Sequence, residues 1–162
     1  MRKPMLMIVF VLFLPAAGFA CVCDTTPSVG RALKEATSVF TGRYIGSEFR
    51  KGIKNEFMEM RASWGEPQRE YEVLVHKFEV EKIWKGALAR EIVLISDHTR
   101  SSDGSETISD CDLGFETGKE YLIYAYGTRD DFGSGACTRT KSLSRAANDV
   151  RQLNRITRPR KP

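Results

Sequence analysis

The sequence predicts a mainly β domain in which five strands, flanked by two short helices, close or nearly close on one another. Three observations predict it. β-branched and aromatic residues gather in strand-length segments, one of them long and alternating. Glycine, proline and polar runs separate those segments. The chain has 162 residues, 41% of them hydrophobic, which suits one core rather than two.

Taking the elements in order, Thr26 reads as the cap of a helix with Pro27 at its first position, and Val29, Ala32, Leu33 and Ala36 recur at helical spacing through Ser28 to Ala36. Val39 to Phe49 reads as the first strand, with Gly42 and Gly46 where a bent strand needs them. Arg50 to Glu70 is charged and broken by Gly52, Gly65 and Pro67, and reads as a long hairpin connection. Its Phe57, Met58, Met60 and Trp64 are expected either to pack over the end of the sheet or to meet a partner. Tyr71 to Trp84 alternates, with Leu74, His76, Phe78 and Val80 on one face and Lys77, Glu79 and Glu81 on the other; adjacent Ile83 and Trp84 imply a bulge before Lys85-Gly86. Glu91 to Ser96 is the next strand, followed by a polar loop from Asp97 to Asp110. Tyr121 to Tyr126 is a buried strand, and a glycine-rich loop leads to Cys137, on or near a short last strand. Ser144 to Thr157 carries Ala146, Ala147, Val150, Leu153 and Ile156 at helical spacing, with Ser142 or Ser144 as cap. Five strands, one long and bent, in so small a chain suggest a barrel of the OB type.

Residues 1–20 read as a signal peptide: Arg2 and Lys3, an apolar run from Met5 to Leu14, and a small-x-small site ending at Ala20. The run is shorter than the roughly 20 residues of a membrane span. Cleavage would leave Cys21 as the first residue of a secreted or periplasmic protein. A competing reading lipidates Cys21, which would anchor the chain to a membrane and acylate its amine; the bulky Phe19 and Gly18, where leucine is usual, argue against it. Without Arg2 and Lys3 the formal charge falls from +4 to +2, so nothing points to nucleic acid as a partner. Residues 158–162 read as a basic, disordered tail, and the domain itself as 21–157.

All four cysteines, Cys21, Cys23, Cys111 and Cys137, lie in the exported part, which argues for two disulfides. Spacing leaves three pairings open, although a Cys21–Cys23 ring would be strained. A bridge from either N-terminal cysteine to a distant partner would close a loop of roughly 90 to 115 residues and contribute on the order of 4 to 5 kcal/mol. The structural role of such a staple competes with a metal-chelating role, and a redox-active Cys-x-Cys is a third reading.

Several short marks follow one another along the chain: Cys21-Val22-Cys23, Phe40-Thr41-Gly42, Phe78-Glu79-Val80 running to Trp84-Lys85-Gly86, Cys111, then Phe115, Gly118, Tyr121-Leu122-Ile123 and Cys137. Their order and spacing resemble the netrin-like domain of the tissue inhibitors of metalloproteinases. The chain lacks that domain's third disulfide, and Asp24-Thr25-Thr26 stands where the family has a more apolar, proline-containing stretch. The resemblance implies a five-stranded OB-like barrel, the pairings Cys21–Cys111 and Cys23–Cys137, and a zinc metalloproteinase as partner. It further implies that the amine and carbonyl of Cys21 chelate the protease's zinc, that Val22 enters the specificity pocket, and that Ile108, Ser109 and Asp110 lie alongside. No cofactor or intrinsic metal is implied, and the inhibitor is expected to act as a monomer.

The remaining polar residues offer no catalytic set. His76 is expected in the core and His98 in a loop, neither with metal-binding spacing, and Gly133-Ser134-Gly135 lacks the strand-to-helix setting of a nucleophile elbow. An enzyme is therefore not expected. Trp84 is expected to pack against the barrel mouth and Val22 to be exposed. The alternative function is a non-inhibitory netrin-like binding module that uses the Arg50–Glu70 connection or the outer face of the sheet.

Overall fold

The computed structural model describes residues 21–158 apart from Val22, Asp24 and the stretches 54–55, 66–69, 87–88 and 129–130. The expected leader, the exposure expected of Val22 and the basic tail beyond Arg158 lie outside the described residues. Helix α1 (Val29–Glu35) leads into β1 (Ser38–Lys51), α2 (Glu56–Ser63), β2 (Tyr71–Lys85), β3 (Glu91–Ser101), β4 (Glu106–Thr107), β5 (Glu120–Thr128), β6 (Asp131–Gly133), β7 (Lys141–Ser142), a 3-10 turn (Leu143–Arg145) and α3 (Ala147–Ile156). The fold is mainly β with short helices, as the sequence predicts.

Five strands form a ring. β1 pairs with β2 and β5, β2 with β3, and β5 with β6, all antiparallel. The ring closes through a single parallel pairing of Ile95 with Gly133 between β3 and β6. β1 and β2, of 14 and 15 residues, each serve two neighbours, and three register shifts interrupt the pairing between them. One skips Trp84, since Val39 faces Lys85 and Phe40 faces Ile83, which places the expected bulge at that residue.

Alternation along the strands sorts side chains between two clusters. Phe40, Tyr44, Phe78, Ile92, Leu94, Tyr121, Ile123, Ala125 and Phe132, drawn from all five strands, pack together with Phe115 against them. On the opposite face Val39, Leu122 and Tyr124 pack with Val29, Ala32 and Ala36 of the α1 region and with Ala146 and Leu153 of the α3 region. This is why Tyr121 to Tyr126 is apolar at every position: both faces of β5 are covered. Gly42, between Phe40 and Tyr44, makes room for the cluster; a Cβ there would stand 3.3 Å from the Phe40 ring and 3.1 Å from the Glu79 carbonyl oxygen.

The Trp84-Lys85-Gly86 run is a structural seam. The Trp84 indole and Lys82 both donate to Asn154 Oδ1 of α3, at 2.9 and 2.8 Å. Lys85 Nζ donates to the carbonyls of Leu33, Lys34 and Ala36 at 3.0, 2.8 and 2.5 Å, satisfying the C-terminal end of α1. Gly86 then turns at φ +88°, with Ser38 Oγ where a Cβ would fall.

Several expectations are corrected. The cap of α1 is Ser28, whose Oγ accepts from Arg31 N at 3.3 Å; the Pro27 carbonyl is engaged elsewhere, as described below. α3 starts at Ala147 after the 3-10 turn and has no side-chain cap, because Ser142 Oγ serves Arg145 and Ser144 instead. The connection from Arg50 to Glu70 contains α2, whose residues are good helix formers without an amphipathic pattern to announce it. Met60 (41%) and Trp64 (69%) are exposed rather than packed over the sheet. β3 continues to Ser101, through the first five residues of the expected polar loop, because Arg100 pairs with Glu72 across the ribbon and Thr99 is buried. His98 is therefore on a strand, with Nε2 2.7 Å from Glu106 and its ring edge-on to Phe49. On β2, Val73 and Val75 are buried and Leu74 half-buried, the reverse of simple alternation, at the register shift between Val73 and Val75.

Candidate functional site: the doubly stapled N-terminal arm

The described residues of the arm that precedes α1 have no secondary structure of their own. Two disulfides position it. Cys21 is bonded to Cys111 with 5.0 Å between Cα atoms, and Cys23 to Cys137 with 5.3 Å. This is the pairing the resemblance implies among the three that spacing allows. The two bridges touch: Cys21 Sγ lies 3.7 Å from Cys137 Sγ.

Each receiving loop is fixed independently. Around Cys111, the Asp112 backbone N–H donates to the Ser109 carbonyl at 3.0 Å and the Cys111 N–H to Ser109 Oγ at 3.2 Å. Asp112 Oδ2 accepts from Ser96 Oγ of β3 at 2.6 Å, and Oδ1 from the Leu113 N–H at 2.9 Å. Around Cys137, the Thr138 N–H and Oγ1 both donate to the Gly135 carbonyl. The loops are joined to each other by the Ala136 N–H, which donates to the Cys111 carbonyl at 2.9 Å. Both bridges thus rest on one platform.

Ile108, Ser109 and Asp110 enter Cys111 directly, so the first disulfide sets Cys21 beside that segment. Ile108 is 62% exposed, a large apolar side chain presented to solvent. Ser109 is half-buried because its hydroxyl and carbonyl hold the turn, and Asp110 is exposed. All four cysteines are in disulfides, leaving no free thiol among the described residues for the redox-active reading. The sulfurs of Cys21, Cys23 and Cys137 lie within 4.8 Å of one another, but as disulfide sulfurs they carry no thiolate charge with which to hold a metal.

One feature of the site has no counterpart in the sequence reading. Arg139, two residues beyond Cys137, donates through Nη1 to the Pro27 carbonyl at 2.6 Å and grips Asp149 of α3 through Nε (2.9 Å) and Nη2 (2.8 Å). Burial alone would raise the Asp149 carboxyl, but hydrogen bonds from Arg139 and Lys141 outweigh it and hold it below its ordinary value. Beneath the Cys111 loop, His76 is buried, with Nδ1 3.3 Å from the Tyr44 hydroxyl, its ring edge against Phe115, and Nε2 without a hydrogen-bond partner among the described residues. Burial pushes its imidazole below the ordinary value, outweighing the attraction of Asp112. Its core placement agrees with the sequence expectation.

Among the described residues, no helix is long and apolar enough to cross a membrane. No protein-family model matches the chain, and no curated protein matches it.

Proposed function

We propose that the mature chain begins at Cys21, folds as a five-stranded OB-like barrel of the netrin-like kind, and inhibits zinc metalloproteinases outside the cell or in the periplasm. The observation that carries this reading is the double staple, which ties Cys21 and Cys23 two residues apart to one hydrogen-bonded platform. Catalytic zinc keeps a coordination position open to water. The α-amine and carbonyl of Cys21 form a five-membered chelate that fills this position without presenting a peptide bond for cleavage. An α-amine, with an ordinary pKa of roughly 8, loses its proton to a metal far more readily than a lysine does. The staple removes in advance the entropy a free chain end would lose on binding. Val22 is assigned to the specificity pocket, and Ile108, Ser109 and Asp110 to the adjoining protease surface. The two disulfides accord with an oxidising compartment.

The test is inhibition of a panel of zinc metalloproteinases by protein beginning at Cys21, beside the same protein with one extra N-terminal alanine. Stoichiometric inhibition by the first form, abolished in the second, is expected. Failure of both forms against the whole panel, with both disulfides intact, overturns the reading. It would favour a non-inhibitory binding module, for which Met60 on α2 and Trp64 just after it, both exposed, are the partner surface.

A further inference from the structure

The two disulfides hold the arm only at Cys21 and Cys23, yet the chain must reach α1 at Val29 in a defined direction. Arg139 supplies the missing hold. The turn Cys137–Arg139 meets the arm twice, at Cys23 through the disulfide and at Pro27 through the guanidinium. The turn itself is rigid. Ser134 Oγ contacts Thr138 Oγ1 and Thr140 Oγ1 at 3.1 and 2.7 Å and donates to the Tyr124 carbonyl at 3.1 Å, while the Tyr124 N–H donates to Thr140 Oγ1 at 2.9 Å. These bonds tie the turn to β5, in the centre of the fold.

The guanidinium is equally fixed. Its side chain is 16% exposed and that of Asp149 6%, and the two form a forked pair through Nε and Nη2. The fork leaves Nη1 aimed at the Pro27 carbonyl. Lys141 Nζ, 3.2 Å from Asp149 Oδ2, supplies a second cation to the same carboxylate. Pro27 suits the contact because its ring fixes φ, so holding its carbonyl also fixes the direction in which the arm leaves it.

We propose that Arg139 is a positioning residue for the Cys21 arm: locked to Asp149, its guanidinium holds the Pro27 carbonyl so that one turn grips the arm at both ends. Its consequence for inhibition rests on the inhibitor reading above; its consequence for the order of the arm does not. Lysine in its place keeps a cation near Asp149 but has no planar fork with which to serve Asp149 and Pro27 together.

The experiment compares wild type with Arg139→Lys and Arg139→Gln. The readouts are backbone NMR order parameters at Thr25 and Thr26, thermal stability, and the inhibition constant against any protease the wild type inhibits. Lys141 remains to pair with Asp149 in both variants. Order parameters near ~0.85 in the wild type, falling toward ~0.6 in Arg139→Lys while the fold persists, support the proposal. Inhibition is expected to weaken about tenfold, the effect of losing one charge-assisted hydrogen bond. Unchanged order parameters in the variants overturn the proposal. If neither variant folds, the wild type decides it alone: an arm near ~0.85 supports the second hold, and one below ~0.6 overturns it. Absence of inhibition by the wild type would count against the inhibitor reading and leave the order-parameter result standing.

Discussion

Removing one disulfide is expected to cost less than its span in sequence suggests, and removing both is expected to cost more than the sum of the single removals. The bridges span 90 and 114 residues. Taken alone, chain entropy assigns them ~4.6 and ~4.8 kcal/mol. The two bridges share a platform, however. With one in place, the ends of the other are already connected through the two residues from Cys21 to Cys23 and the twenty-six from Cys111 to Cys137, a loop of about 28. Closing that loop is worth only ~3.6 kcal/mol. Cys21→Ala with Cys111→Ala, or Cys23→Ala with Cys137→Ala, should therefore each cost ~3.6 kcal/mol. All four substitutions together should cost about 8 kcal/mol, about 1 more than the two single-bridge losses combined, and bring the domain to the edge of unfolding. Guanidinium unfolding followed by tryptophan fluorescence and circular dichroism measures each member of the cycle. Single-bridge losses near ~4.7 kcal/mol that simply add, or losses below ~1 kcal/mol, would refute the shared-loop reasoning.

Three further outcomes follow from named contacts. Ile108→Glu is expected to leave stability within about 0.5 kcal/mol, since the side chain is 62% exposed, while weakening protease inhibition at least about tenfold; unchanged inhibition would remove Ile108 from the contact surface. Lys85→Met, which strips three carbonyls at the end of α1 of their ammonium partner, should lower stability by about 2 kcal/mol, checked by denaturant midpoint. His76 stays neutral in the fold below the pH at which the unfolded imidazole takes up its proton, because burial holds its folded pKa below the ordinary value. Stability should therefore fall as pH drops through about 6.5 and stop falling from this cause below the folded pKa. His76→Gln should flatten that part of the profile, and equal pH dependence in variant and wild type between pH 7.5 and 5.5 would show that the buried ring is not responsible.

What was legible in the sequence is what neighbouring residues decide among themselves. The long alternating run of β2, the bulge at Trp84, the doubly buried β5 and the core position of His76 all follow from local pattern. Half of the polar stretch after Ser96 is strand because of Glu72 and Thr107, far off in sequence, and no local signal distinguishes it from a loop. α2 was hidden for the opposite reason, having propensity without an apolar stripe. One anomaly was visible: Asp149 lies three residues after Ala146 and four before Leu153, on the buried side of α3, where a carboxylate needs a cation. Which cation, and that the same guanidinium reaches Pro27, depends on bringing positions 27, 139 and 149 together. The disulfides divide in the same way. The even count of four cysteines argued for two bridges, and the resemblance selected among the pairings. Only the folded chain decides that both bridges stand on one platform, because the Cys111 and Cys137 loops, far apart in sequence, meet through the Ala136 N–H and the Cys111 carbonyl.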